Sequence, residues 1–294
     1  EVHPLMCRTF PAGRNVLMRP TEYMRACCDS PWDWWQPPFH VAPHVYYVSG
    51  NRWVGAYLFD TGDGLLLLDT AMQPTLHLLV YSICTLGFDP KDIRAILLSH
   101  AHYDHCGGAR FLQGLAPQAR IYLGERDLFF LEESHQSLIY PDRYPFTPFA
   151  VDEVYREDTP IVQGRFSIHT FSTPGHTPGC TSFYFEDTDE ATGRVYRCAM
   201  HGGLGLNTLS DGFLRHTGLP VSLRGEYRRS MERLRALPVD IALGAHPENT
   251  SMLERLKQYG DRDYPQCDPA LWAEMADSFL AQLDALEQQS AFKA

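Results

Sequence analysis

The stretch Ser99-His100-Ala101-His102-Tyr103-Asp104-His105-Cys106-Gly107-Gly108 puts three imidazoles and one carboxylate into six consecutive positions. His100 and His102 are two residues apart, so on extended backbone their side chains point the same way. Asp104 and His105 follow where the chain turns, and can face a second point a few ångströms away. Neutral imidazole and carboxylate are ligands of the kind zinc takes. One ion cannot easily draw all four from so short a loop, so the stretch predicts two neighbouring ions, with the chemistry of metal-assisted hydrolysis.

Two further histidines stand in similar settings. His176 lies in Thr173-Pro174-Gly175-His176-Thr177-Pro178-Gly179-Cys180, where prolines fix the backbone and glycines let other elements approach closely. It is the expected third ligand for the first ion. His246, in Ala245-His246-Pro247, leaves the end of a short apolar run and is the last candidate.

The elements that must position these groups read clearly in places. Ala95-Ile96-Leu97-Leu98 is a short apolar block, expected as a buried strand, and Ala109-Arg110-Phe111-Leu112 reads as a helix start. The His/Asp cluster then sits on the turn at the carboxyl end of a strand, where open α/β sheets hold their ligands. Strands are also expected at Val45–Val48, Val54–Phe59, Gly64–Asp69, Arg120–Leu123, Phe166–Phe171, Cys180–Glu186, Val195–Met200 and Asp240–Gly244. Asp60-Thr61-Gly62-Asp63-Gly64 is a hairpin turn. Asp69 ends its strand, either as support beneath the metal loop or as a plain strand-end cap.

Helical stripes run over residues 74–86, ended by Gly87 and leaving His77 facing solvent, and over Glu226–Leu237. Glu125–Glu133 is helix-like. A last helix starts at Asp268-Pro269, with Leu271, Met275, Phe279, Leu283 and Leu286 on one face. The proline-rich segment 134–165 is expected as a long loop, with Tyr140, Tyr144 and Phe146 available either to substrate or to packing.

Residues 1–44 are rich in proline and aromatics and sustain no period, so they predict an irregular arm on a single domain spanning 45–294. Trp32, Trp34, Trp35 and Phe39 in this arm either wall a substrate cleft or anchor the arm in apolar surface. Trp34 and Tyr103 are the expected substrate contacts.

Composition narrows the function. The 294-residue chain is 44% hydrophobic and long enough for a sizeable core, and its net charge of −11 argues against a nucleic-acid partner. No apolar run reaches ~18 residues, so no membrane span is expected. The chain opens with Glu1, and no signal-peptide pattern follows. Periplasmic or secreted placement would require a signal already removed, and cytoplasmic placement is the alternative. The eight cysteines are scattered without a Cys-x-x-Cys pair, as in a chain of mostly reduced thiols, although Cys7 with Cys27 or Cys28 could form a bridge.

The His-x-His-x-Asp-His loop at His100–His105, the Pro174–Gly179 motif around His176 and the strand-end His246 together resemble the metallo-β-lactamase fold superfamily. The resemblance runs from about Val45 to Lys257. It implies an α/β (α+β) fold, an αββα four-layer sandwich of two mixed β-sheets flanked by helices, with the site at one edge between the sheets. Pro174–Cys180, Tyr227–Ser230, Leu234–Ile241 and His246-Pro247 are most similar to the third subclass, the B3-like enzymes. That implies one zinc on His100, His102 and His176 and a second on Asp104, His105 and His246. It further implies a small-molecule substrate and hydrolysis of a β-lactam ring by hydroxide formed on the metals, with Asp104 aligning it.

Three departures stand out. The subclass often carries serines that hold the substrate carboxylate, and here the chain reads Ala199-Met200-His201-Gly202-Gly203. The bridging Asp of glyoxalase-type and lactonase-type relatives is also missing. Val239 stands where a disulfide often starts, leaving Cys267 without that partner. His201 is therefore a candidate for catalysis or substrate binding, as a metal ligand or a protonated carboxylate partner, or else merely caps its strand. The rival readings are a dizinc hydrolase of another ester, lactone, thioester or amide, and a catalytically silent zinc-binding fold.

Overall fold

Leu65-Leu66-Leu67-Leu68 has no polar face, and both of its faces are covered. The computed structural model describes residues 20–133, 135, 144, 146–260 and 264–291. In it this run is strand β4 (Leu65–Leu68), buried at every position. Leu65 and Leu67 point to a cluster shared with helices, and Leu66 and Leu68 to a cluster between two sheets. Alternation of side chains across a strand makes this division, and only a strand in an inner layer can use apolar residues on both sides.

The first sheet has seven strands in the order β1 (Phe39–Ala42), β2 (Val45–Tyr47), β3 (Tyr57–Asp60), β4, β5 (Ile93–Leu97), β6 (Arg120–Leu123) and β7 (Glu153–Val154). It is antiparallel from β1 to β4 and parallel from β4 to β7. The β3–β4 hairpin turns through Gly62 (φ 76°) and Gly64 (φ 77°), left-handed positions that favour glycine. The second sheet has five strands: β8 (Ile161–Gln163), β9 (Phe166–Ser172), β10 (Thr181–Asp189), β11 (Arg194–His201) and β12 (Ile241–Gly244). Only its β11–β12 pair is parallel. Both sheets are mixed.

Helices cover the outer faces. On the first sheet lie α1 (Pro20–Asp29), α2 (Leu76–Thr85), the four-residue α3 (Tyr103–Cys106) and α4 (Ala109–Leu115). After β11 come α5 (Asp211–Thr217) and α6 (Leu223–Arg235), and after β12 come α7 (Met252–Tyr259) and α8 (Leu271–Ala291). Tyr227, Met231 and Leu234 of α6 pack with Trp272, Met275 and Leu283 of α8 in a third cluster on the second sheet. The Trp272 indole N–H donates to the Leu234 carbonyl at 2.7 Å. The layers are thus helix, sheet, sheet, helix, as the resemblance implied.

Several details depart from expectation. The described part of residues 1–44 is not irregular. Met24, Cys27 and Cys28 recur at helical spacing on α1 and are buried, and Phe39–Ala42 is the edge strand of the first sheet. The cysteines supply two of the three residues of that short stripe, which hides the period. Glu125–Leu131 is a 3-10 helix, and two short strands, β7 and β8, lie within 134–165. Tyr140 and Cys7 lie outside the described residues. No described helix is long and apolar enough to cross a membrane.

Candidate metal centre

β5 ends at Leu97, and the chain then runs Leu98-Ser99-His100-Ala101-His102 before α3 begins. His102 is the extended N-cap of that helix (φ −68°, ψ 147°), so the backbone changes from extended to helical between the two His/Asp pairs. That change aims His100 and His102 at one point and Asp104 and His105 at another. The β9–β10 loop brings His176, and the end of β12 brings His246. Two groups result, His100/His102/His176 and Asp104/His105/His246, each with its ligand atoms within 4.8 Å of one another.

The separations suit zinc. His105 Nε2 lies 3.4 Å from His246 Nε2 and 3.5 Å from Asp104 Oδ2, and His246 Nε2 lies 3.4 Å from Asp104 Oδ2. Ligands about 2.0–2.1 Å from a tetrahedral zinc are spaced about 3.3 Å apart. In the other group His102 Nδ1 and His176 Nε2 are 2.9 Å apart. His100 Nε2 is buried and makes no hydrogen bond among the described residues. A buried polar atom without a partner is costly, and a lone pair aimed at a cation removes that cost. Five imidazoles and one carboxylate fit divalent, zinc-type ions at both points.

Four of the six ligands are oriented from behind. Asp69 accepts the Ser99 N–H at 2.7 Å and the Ser99 hydroxyl at 2.8 Å, and lies 2.8 Å from His105 Nδ1. Ser99 Oγ is in turn 3.0 Å from His100 Nδ1. Asp69 adopts left-handed backbone (φ 61°) to do this, a cost for a non-glycine residue that the three contacts offset. The Nδ1–H of His176 meets the Gly205 carbonyl at 2.6 Å, and that of His246 the Trp53 carbonyl at 2.7 Å. With Nδ1 engaged, His105, His176 and His246 each present Nε2 forward.

Burial holds the His100 and His102 imidazoles well below the usual histidine range, with neighbouring histidines adding to it. It lowers His176 to about 4. All three are therefore neutral at pH 7, with lone pairs available. Burial acts on His105 in the same direction, but the Asp104 and Asp69 carboxylates outweigh it and raise that imidazole. Asp104 is driven up by burial and brought below the normal carboxylate value by His105, His246 and His102.

The substrate candidates fare differently. His201 joins neither group. It is 1% exposed, its Nδ1 accepts the Gly203 N–H at 3.2 Å, and its ring lies 6.5 Å from that of Tyr227. Burial lowers it to about 3, so it offers a carboxylate no positive charge. Tyr103 is also turned inward, 3% exposed with its ring parallel to Tyr144. Neighbouring residues on a helix point about 100° apart, so when Asp104 faces the centre Tyr103 faces the core. Trp34 is half-buried, edge-on against Tyr23. Cys267 is a thiol beside Arg194.

Sequence reading missed Trp53, Gly205 and Asp127. Asp127 is fully buried and accepts from Ala101 N–H, Thr177 Oγ1 and Gly179 N–H.

The sandwich of two mixed sheets, with two three-residue groups that could hold metal ions, defines the class of fold. Residues 54–190 match the family model of the Metallo-beta-lactamase superfamily, and the chain has that superfamily's fold. Among solved structures it is similar to BJP-1, a subclass B3 metallo-beta-lactamase of Bradyrhizobium japonicum. That match has a TM-score of 0.79 and 28% identity, and covers 90% of this chain and 100% of the other. Among curated proteins it is 32% identical over 92 residues to Glyoxylase B2 of Dictyostelium discoideum, covering 31% of this chain and 32% of that protein. It is 25% identical over 156 residues to an N-acyl homoserine lactonase of Bacillus sp, covering 45% of this chain and 58% of the lactonase. The chain thus spans about a third of the first of these relatives and somewhat over half of the second.

Proposed function

We propose that this protein is a zinc-dependent hydrolase of the B3-like kind that opens β-lactam rings. The observation that carries this reading is the pair of three-residue groups, with lone pairs converging and the buried His100 Nε2 left without a partner among the described residues. His100, His102 and His176 would hold one ion, and Asp104, His105 and His246 the other. When bound, zinc supplies Lewis acidity at the scissile carbonyl and water acidic enough to attack at neutral pH.

The chain's own residues do the rest. Asp104, ionised at pH 7, aligns the attacking water and draws on its proton. Asp69, Gly205 and Trp53 keep three imidazoles in the tautomer that leaves Nε2 free. His201 stands outside both groups, its Nδ1 taken by the Gly203 N–H.

A second reading, hydrolysis of a lactone, ester, thioester or amide at the same centre, is favoured by one observation. A Cβ at Gly202 would meet the Thr181 carbonyl oxygen at 2.0 Å, and one at Gly203 would meet His176 Cδ2 at 2.6 Å. No side chain fits at either position without displacing backbone or ligand, so neither position offers the serine that often holds the carboxylate in B3-like enzymes. The test is turnover of nitrocefin, a carbapenem and a lactone series by zinc-loaded protein, with and without chelator. Chelator-sensitive β-lactam turnover supports the first reading, and lactone turnover alone the second. No turnover of any of them would sink both.

A further inference from the structure

Asp127 sits where two ligand-bearing loops meet. Its Oδ2 accepts the Ala101 N–H and the Thr177 hydroxyl, both at 2.8 Å, and its Oδ1 accepts the Gly179 N–H at 2.6 Å. Ala101 is the residue between His100 and His102, and Thr177 follows His176 directly. The contact is close-packed. A Cβ at Gly124 would fall 1.9 Å from the Gly179 carbonyl oxygen, and one at Gly179 would fall 2.4 Å from the Asp127 nitrogen. Two glycines facing each other let the 124–127 turn press its carboxylate between the loops. Asp104, His105 and His246 are held by other partners, namely each other, Asp69 and Trp53.

We propose that Asp127 is a positioning residue that assembles the His100/His102/His176 group and leaves the Asp104/His105/His246 group to other supports. This rests on the reading of both groups as zinc sites. The carboxylate suits the task because all three facing groups are donors. Asparagine keeps one acceptor oxygen and sets an amide N–H against at least one of the three donors, so at least one of the contacts that tie the two loops together is lost. His100 and His102 would then be held less firmly at ligand spacing from His176.

The test separates the two groups by substitution. In a His105→Ala background only the three-histidine group is complete, and in a His102→Ala background only the other. Asp127→Asn is placed in each, and zinc affinity is measured by competition with a chromophoric chelator on full-length, folded protein. The expected result is a loss of about 10–100-fold in the His105→Ala background. Less than about threefold is expected in the His102→Ala background. Thr177→Val, which removes one of the three donors, should give a smaller loss in the same background and serves if Asp127→Asn does not fold. Equal losses in both backgrounds, or none in the first, overturn the proposal. Retention of the split with no hydrolysis of any substrate overturns only the hydrolase reading, and absence of zinc binding by the unsubstituted protein overturns both.

Discussion

The carboxylate of Asp69 lies 2.8 Å from Nδ1 of His105, across 36 residues of sequence. The same carboxylate takes both donors of Ser99, so one side chain at the end of β4 fixes the start of the metal loop and a ligand near its end. Aspartate can do this because all three facing groups donate to it.

Asp69→Asn therefore costs more than a hydrogen bond. An amide N–H facing His105 Nδ1 would move the imidazole proton to Nε2, and that nitrogen could no longer bind an ion. The expected outcome is a loss of about 10–100-fold in zinc affinity at the Asp104/His105/His246 group, measured by chelator competition in a His102→Ala background. Unchanged affinity would show that Asp69 is only a strand-end cap.

How much of this the sequence disclosed follows from how local each signal is. His100 to His105 could be read because four ligands within six residues have no ordinary loop purpose, and the apolar runs around them place them at a strand end. Asp127 could not, because its partners lie 26, 50 and 52 residues away and nothing around it marks it. The Trp53 carbonyl and His246 are 193 residues apart, and a backbone acceptor carries no residue signature at all. His201 misled for the opposite reason. Its residue type suggested chemistry, but its ring is buried near Tyr227 with Nδ1 taken by the Gly203 N–H, just before the closely packed Gly202 and Gly203.

That packing makes a second prediction. Gly203→Ser reinstates a hydroxyl near where B3-like enzymes often carry one, yet the new Cβ would lie 2.6 Å from His176 Cδ2 and 2.8 Å from Cys180 Sγ. His176 must move, and its zinc is held less well. The expected outcome is lower zinc content and at least a tenfold fall in kcat/KM for any β-lactam or lactone turned over. A rise in carbapenem kcat/KM would show that the serine is accommodated and that its absence is what limits binding.

Asp127 also gives a pH dependence with a definite sign. Burial raises it from 3.8 to about 6, although its three hydrogen bonds pull the other way. The native state thus binds a proton that the unfolded chain has lost. This contribution to stability is full below the unfolded value and disappears as pH rises through about 6. Asparagine does not titrate. In zinc-free protein the stability advantage of the parent over Asp127→Asn should therefore grow by about 2 kcal/mol from pH 7.5 to pH 4.5, read by urea unfolding. A gap independent of pH would mean that the carboxyl titrates at its ordinary value.

The two groups should lose their ions at different acidities. Bound zinc competes with protons for each imidazole, and the competition is hardest where the metal-free imidazole is most basic. His100, His102 and His176 are all held low by burial, His176 at about 4, so protons compete weakly there. Burial lowers His246 as well, but His105 is raised by Asp104 and Asp69, so in the Asp104/His105/His246 group one imidazole meets stronger competition than any of the other three. On acidification from pH 8 the protein should pass from two bound ions to one before it loses the second. The ion that remains should survive His105→Ala and be absent from His102→Ala. Cobalt substitution makes this visible, since the d–d bands of each group can be assigned in the two variants and then followed through the titration. Loss of the three-histidine bands first, or simultaneous loss of both sets, would contradict the ordering that the buried imidazoles impose.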